Sequence, residues 1–301
     1  MSLNEQITRL KKEKNALIVA HYYVDDAVQE VADYVGDSYY LSKICMERPE
    51  QTIIFCGVNF MGESAKILNP EKCVVMAESS ADCPMAHMIE IEKIREIRKQ
   101  YDDLAVVCYI NSVTEIKAES DVIVTSSNAL NIVSKLKEKN IFFIPDEHLG
   151  RYISQKLPDK NFIFNDGFCH VHTSITSEAL IKAKKAQPEA KILVHPECPK
   201  DIVDMGDYVG STSGIIDYAT NSSSNKFIIA TEMGILHELK KKNPDKKFYS
   251  VGHRQFCPNM KRITLESVYH ELDTLNNKVE LDEEIRLKAK AALLKMHELG
   301  K

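Results

Sequence analysis

Three cysteines of this chain stand apart from any local partner. Cys83 (in ADCPM), Cys169 (in GFCHVH) and Cys257 (in QFCPNM) belong to no CxxC pair, so zinc-finger and ferredoxin spacings are absent. Three thiolates gathered from distant segments suit a 4Fe–4S cluster with one iron left without a protein ligand. Such an iron is a Lewis acid that can bind a hydroxyl or carboxylate and ease loss of water. A zinc ion with three thiolates and an open position fits the same residues. Burial is the common fate of a lone cysteine, and it is the reading for Cys45, Cys56, Cys73, Cys108 and Cys198.

A second set has the types needed to hold an acidic substrate and move protons: His21, Tyr23, Tyr109, Asn111, His195 and Glu197. A third is hydroxylic: Ser38, Ser126, Ser127, Ser211 and Thr212. These three sets share one period. LIVAHYY (17–23), LAVVCYIN (104–111) and KILVHPE (191–197) read as buried parallel strands. Each is followed by helical character and a second short run: ADYVGDS (32–38), SDVIVTSS (120–127) or GDYVGSTS (206–213). Tyr23 to Ser38, Asn111 to Ser126 and Glu197 to Thr212 each span 15 residues, and the same register aligns His21, Tyr109 and His195. A third strand follows in each unit, TIIFCGV (52–58), IFFIP (141–145) or KFIIATE (226–232), with a helix start containing Gly62, Gly150 or Gly234. From Ser38, Ser126 and Thr212 the distances to Cys83, Cys169 and Cys257 are 45, 43 and 45 residues, so the cysteines are one position repeated.

Strands alternating with helices imply parallel sheets with right-handed crossovers. The expected fold is therefore α/β: three pseudo-threefold-related three-layer α/β/α domains around a central active-site cavity. The repeat sets their limits at 1–87 (Cys83), 88–173 (Cys169) and 174–263 (Cys257), with residues 264–301 as helices packing on the domains. Ligands of such sheets bind beyond the carboxyl ends of the strands, where the second set falls. Helix-start hydroxyls and free N–H groups make anion sites, although plain helix capping is the commonest task of Ser and Thr there.

Composition is that of a globular chain, 44% hydrophobic and 28% charged, and the net charge of −5 argues against a nucleic-acid partner. The start, MSLNEQITRLKKEK, reads as a polar helix rather than a signal peptide, and no apolar run approaches the ~20 residues that span a bilayer. No membrane partner and a cytoplasmic location are expected.

The motifs AHYY with VADYVGDS, VNFMGESAKILNP, CYINS with VTSSNA, GFCHVH, VHPECP with DYVGSTSG, and CPNMK together resemble the quinolinate synthase family over nearly the whole chain. The resemblance implies condensation of iminoaspartate with dihydroxyacetone phosphate to quinolinate, with loss of phosphate and water, in NAD biosynthesis. It implies a 4Fe–4S cluster on Cys83, Cys169 and Cys257, and transient contact with an iminoaspartate-producing enzyme. Its substrate-contact positions carry over as His21, Ser38, Tyr109, Ile110, Asn111, Ser126, His195, Pro196, Glu197 and Thr212. Ile110 and Pro196 are expected to contribute backbone or packing. Tyr23 and Glu197 are the expected acid/base pair, with His21 and His195 polarising oxygens and Tyr109 and Asn111 orienting substrate. His172 reads as cavity lining or as support for it. The sequence departs from the family at Tyr22, where Asn is commoner, and in a single cysteine at the third motif where some members carry CxxCxxC. Two other readings remain: a reductase-type three-cysteine 4Fe–4S enzyme, and a non-catalytic metal- or phosphometabolite-binding module.

Overall fold

The computed structural model describes residues 2–252 and 255–300. Its strands form three separate four-stranded sheets, all parallel. The first holds β1 (Ala16–His21), β2 (Tyr34–Gly36), β3 (Thr52–Cys56) and β4 (Cys73–Met76) in the order β2-β1-β3-β4. The second holds β5 (Leu104–Tyr109), β6 (Val122–Val124), β7 (Asn140–Ile144) and β8 (Asn161–Phe164) in the order β6-β5-β7-β8. The third holds β9 (Lys191–Val194), β10 (Tyr208–Val209), β11 (Lys226–Ala230) and β12 (Lys247–Ser250) in the order β10-β9-β11-β12. Every residue of β1 is buried, as expected of a strand with helices on both faces.

The 15-residue sequence spacing is the pairing register of the first two strands of each sheet. Val19 lies opposite Tyr34, Val107 opposite Val122, and Leu193 opposite Tyr208. An aspartate just before the second strand fixes this register three times. The carboxylates of Asp33, Asp121 and Asp207 accept from the backbone N–H of Ile18, Val106 and Ile192 at 2.9, 2.7 and 2.7 Å. Slipping the strand by one residue would break that bond. A lysine also recurs. Lys72, Lys160 and Lys246 each donate to carbonyls at or just beyond the C-terminal end of the helix that leads into the third strand of their unit (Ser38–Glu47, Ala129–Lys135 and Thr212–Asn221), where cations complement the helix dipole.

The fourth strands, β4, β8 and β12, were not expected from the sequence. They have four residues each and lie at sheet edges, two of them without a fully buried residue, so their apolar signal is weak. The glycines also sit differently from a shared helix start. Gly62 and Gly150 fall inside the first turns of the helices Asn59–Leu68 and Glu147–Lys156, whereas Gly234 caps Ile235–Lys242. At Gly234 a Cβ would lie 2.5 Å from the Tyr22 carbonyl oxygen, so glycine lets the first unit's backbone approach the third.

The C-terminal segment forms two helices, Leu265–Thr274 and Glu283–Leu299. The second buries Ala289, Ala292, Leu293 and Met296 against elements of the first and second units. Those two units and the C-terminal helices share one apolar core, while the third unit has two smaller cores of its own. Tyr22 crosses between them: its ring is buried in the third unit's core beside Leu193 and Ile215. It keys one unit to another. No helix among the described residues is long and apolar enough to cross a membrane.

Candidate active site

The carboxyl ends of the three sheets face one small cavity of about 70 Å³. Its lining draws on all three units. Cys83, Cys169 and Cys257 are there, with His21, Tyr23, Ser38, Tyr109, Asn111, Ser126, His195, Glu197 and Thr212. Ile110 and Pro196, also expected at the site, do not line it. Met61 and Met260 do, and so does His172. Lys43, Lys66 and Lys261 do not reach the lining. Lys66 instead binds the carbonyls of Pro70 and Lys72, Lys261 pairs with Asp25, and Lys43 pairs with Glu47.

Strand ends and helix starts place these groups. His21 is the last residue of β1, Tyr109 the last of β5, and His195 directly follows β9. The backbone N–H of Tyr23 donates to His21 Nδ1 at 3.2 Å, which assigns that ring's proton to Nε2. His195 Nδ1 meets two partners: the Glu197 N–H at 3.3 Å and the Glu197 Oε2 at 3.2 Å. Burial and the neighbouring His195 hold the His21 imidazole down at about 3, so it is a neutral donor at physiological pH.

The hydroxyls of Ser38 and Thr212 are not spent on capping. Asp37 caps the helix Ser38–Glu47 through the Tyr40 N–H, and Ser211 caps Thr212–Asn221 through the Gly214 N–H. Ser38 and Thr212 are therefore first helical residues, where side chains lie beside free backbone donors. Ser126 lies two residues before Asn128, the start of the short helix Ala129–Lys135.

A buried polar chain runs across the cavity floor. Tyr23 Oη lies 2.8 Å from Thr212 Oγ1 and 3.1 Å from Thr231 Oγ1, and Thr231 Oγ1 is 2.9 Å from His172 Nε2. His172 Nδ1 approaches Glu197 Oε2 to 3.2 Å without hydrogen-bond alignment, and the ring stacks on His195. Burial raises the phenols of Tyr23 and Tyr109 well above their ordinary range, so both stay protonated. Burial pushes the Glu197 carboxyl up, but His172, His195 and the Tyr109 hydroxyl outweigh it and leave the group below its ordinary value. Burial holds the His172 imidazole itself down at about 3.

Sequence reasoning missed Thr231, Glu232 and Asp146, all fully buried. Val58, Asp146 and Glu232 occupy one repeat position just after the third strands, 88 and 86 residues apart, so the register contained that signal.

The donor set suits a metal group. Cys83, Cys169 and Cys257 are free thiols, and burial raises all three, Cys83 to about 12. The charge of Cys257 adds to the rise at Cys83, and that of Cys83 to the rise at Cys169, so the thiols sense one another. Groups that resist ionising together are stabilised as thiolates by a shared cation. Cys169, His172 and Glu197 also place donor atoms within 4.8 Å of one another, a group able to hold a metal ion. Two buried atoms aimed into the site, His172 Nδ1 and Glu197 Oε1, have no hydrogen-bond partner.

The family model described as "Quinolinate synthetase A protein" matches residues 5–298 of this chain. The quinolinate synthase of Clostridioides difficile (strain 630) is 54% identical over 298 residues, covering 99% of this chain and 98% of that protein. Quinolinate synthases of Caldicellulosiruptor bescii and Fusobacterium nucleatum subsp. nucleatum are 52% and 53% identical over 298 residues, covering 99% of this chain and 98% and 99% of theirs.

Proposed function

The chain belongs to the quinolinate synthetase A family, and on that premise we propose that it makes quinolinate for NAD biosynthesis from iminoaspartate and dihydroxyacetone phosphate. Phosphate and two molecules of water leave, and the atoms then balance with no net oxidation or reduction. The observation that carries this reading is the convergence of three repeat-related cysteines with repeat-related hydroxyl and imidazole groups on one cavity.

Cys83, Cys169 and Cys257 would hold a 4Fe–4S cluster, one from each unit. When bound, the cluster supplies an open iron that polarises a substrate oxygen and eases dehydration. The chain's own groups do the rest. Ser38, Ser126 and Thr212 hold the anionic ends of the substrates, the first and last assisted by free N–H groups of their helices. His21, with its proton on Nε2, donates to a developing oxyanion, and His195 works beside it. Glu197, an anion with one unpartnered oxygen, is the general base. Tyr23 stays protonated and is the general acid: it gives its proton to the substrate and is resupplied from His172 through Thr231. Tyr109 and Asn111 orient the substrate between these groups. An enzyme producing iminoaspartate is the expected supplier, and a cytoplasmic location suits an oxygen-sensitive cluster.

A second reading has its own observation, the compact Cys169–His172–Glu197 group. An ion there would consume the proposed base and leave Cys83 and Cys257 without a task, so the three-thiol reading accounts for more of the site. The test is an anaerobic assay of iron-loaded protein with both substrates. Quinolinate formation with about four irons per chain supports the proposal. Zinc in place of iron, or no product from iron-loaded protein, overturns it.

A further inference from the structure

The backbone amide of a cluster cysteine can donate to the cluster's sulfurs, and such bonds stabilise an added electron and raise the reduction potential. In this chain those amides face carboxyl groups instead. The Cys83 N–H donates to Asp82 Oδ1 at 2.8 Å, and the Cys257 N–H donates to Glu232 Oε1 at 3.1 Å. In the second unit Asp146 occupies the repeat position of Glu232, and the Cys169 amide is among the donors facing it. Asp146 also caps the next helix through Leu149, as its carboxyl oxygen lies 2.7 Å from that N–H.

These carboxyl groups are themselves held. Asp82 Oδ2 lies 2.6 Å from His87 Nε2. Glu232 Oε2 accepts from the Gly234 N–H at 2.6 Å, and Lys261 Nζ stands 3.9 Å from Oε1. Gln255 fixes the same loop from its other side. Its Nε2 donates to the carbonyls of Ile229 and Thr231, both at 2.8 Å, and its Oε1 accepts from the N–H groups of Val251 and Gly252. The Cys257 amide therefore cannot turn toward the cavity without breaking a set of buried bonds.

We propose that Asp82 and Glu232 are positioning residues for the cluster, each engaging the backbone N–H of its cysteine so that this amide is withheld from the cluster sulfurs. This rests on the three-cysteine cluster reading. The consequence is a reduction potential lower than it would be with those two amides free, while the N–H groups of Met85 and Ala86 at Cys83 and of Asn259 and Met260 at Cys257 still face the sulfurs. That suits a cluster used as a Lewis acid in a reaction with no net electron transfer, because it stays oxidised among cellular reductants.

The test is an anaerobic redox titration of the reconstituted full chain, followed by the electron paramagnetic resonance of the reduced cluster, with iron per chain measured alongside. Asp82→Ala, at a half-exposed site, and Glu232→Ala both free an amide, and each is expected to move the midpoint to a more positive value. Asp82→Asn keeps an acceptor and is expected to stay closer to the unaltered protein than Asp82→Ala. If Glu232→Ala does not fold, the Asp82 pair alone decides. A midpoint in Asp82→Ala equal to that of the unaltered protein, or more negative, overturns the proposal, whatever the iron content. Failure of the underlying reading looks different: the unaltered chain would then bind no iron and give no signal on reduction.

Discussion

Replacing Thr231 by valine tests whether the buried chain from Tyr23 to His172 works as a unit. The hydroxyl accounts for two contacts, 3.1 Å to Tyr23 Oη and 2.9 Å to His172 Nε2, and the residue is fully buried. Valine keeps the shape and removes both. Two lost hydrogen bonds at about 0.5–1.5 kcal/mol each give a destabilisation of about 1–3 kcal/mol. Tyr23 keeps Thr212 at 2.8 Å, so it stays anchored at one point and becomes free to swing about it. A displacement of about 1 Å in a reacting group can cost roughly 100-fold in rate. The expected result is therefore a kcat lowered by roughly ten- to a hundredfold, with KM and iron content little changed. Steady-state kinetics on anaerobically reconstituted protein, with a thermal melt, measures both. A kcat within twofold of the unaltered enzyme would refute the proton path, even if the melting temperature fell.

Three further outcomes follow from other parts of the structure. Ser126→Ala is expected to raise KM several-fold while iron per chain is unchanged, and unchanged kinetics would remove the hydroxyl from the anion site. Asp207→Ala should destabilise the third unit by about 1–2 kcal/mol, because it leaves the Ile192 N–H without its side-chain acceptor, and denaturant unfolding checks it. Burial holds Lys117 at about 8 against its ordinary 10.5, so between those values the unfolded chain binds more protons and stability rises with pH. The rise amounts to about 3 kcal/mol across that window. Lys117→Met should flatten this slope, which unfolding curves at several pH values between 8 and 10.5 would show.

The repeat was legible because chemistry and register coincide. Tyr23 to Ser38 and its two counterparts keep 15 residues between them since each pair brackets two adjacent strands held by an aspartate. The cysteines were legible for the same reason. What escaped was short or locally ambiguous. The edge strands CVVM, NFIF and KFYS are too brief to show a period. Thr231 resembles any threonine at a strand end until His172 and Tyr23, from two other segments, are brought against it. Asp146 and Glu232 share a position with Val58, and the apolar member hides the acidic ones. The task of Tyr22 was not legible because its ring lies in a different unit's core.

On the proposed reading, Cys83, Cys169 and Cys257 are one position seen three times and serve one cluster. Iron per chain after anaerobic reconstitution, measured for Cys83→Ala, Cys169→Ala and Cys257→Ala side by side, tests it most directly. Each variant is expected to lose most of its iron and all quinolinate formation, to a similar degree. A variant that keeps both about four irons and its activity would contradict it.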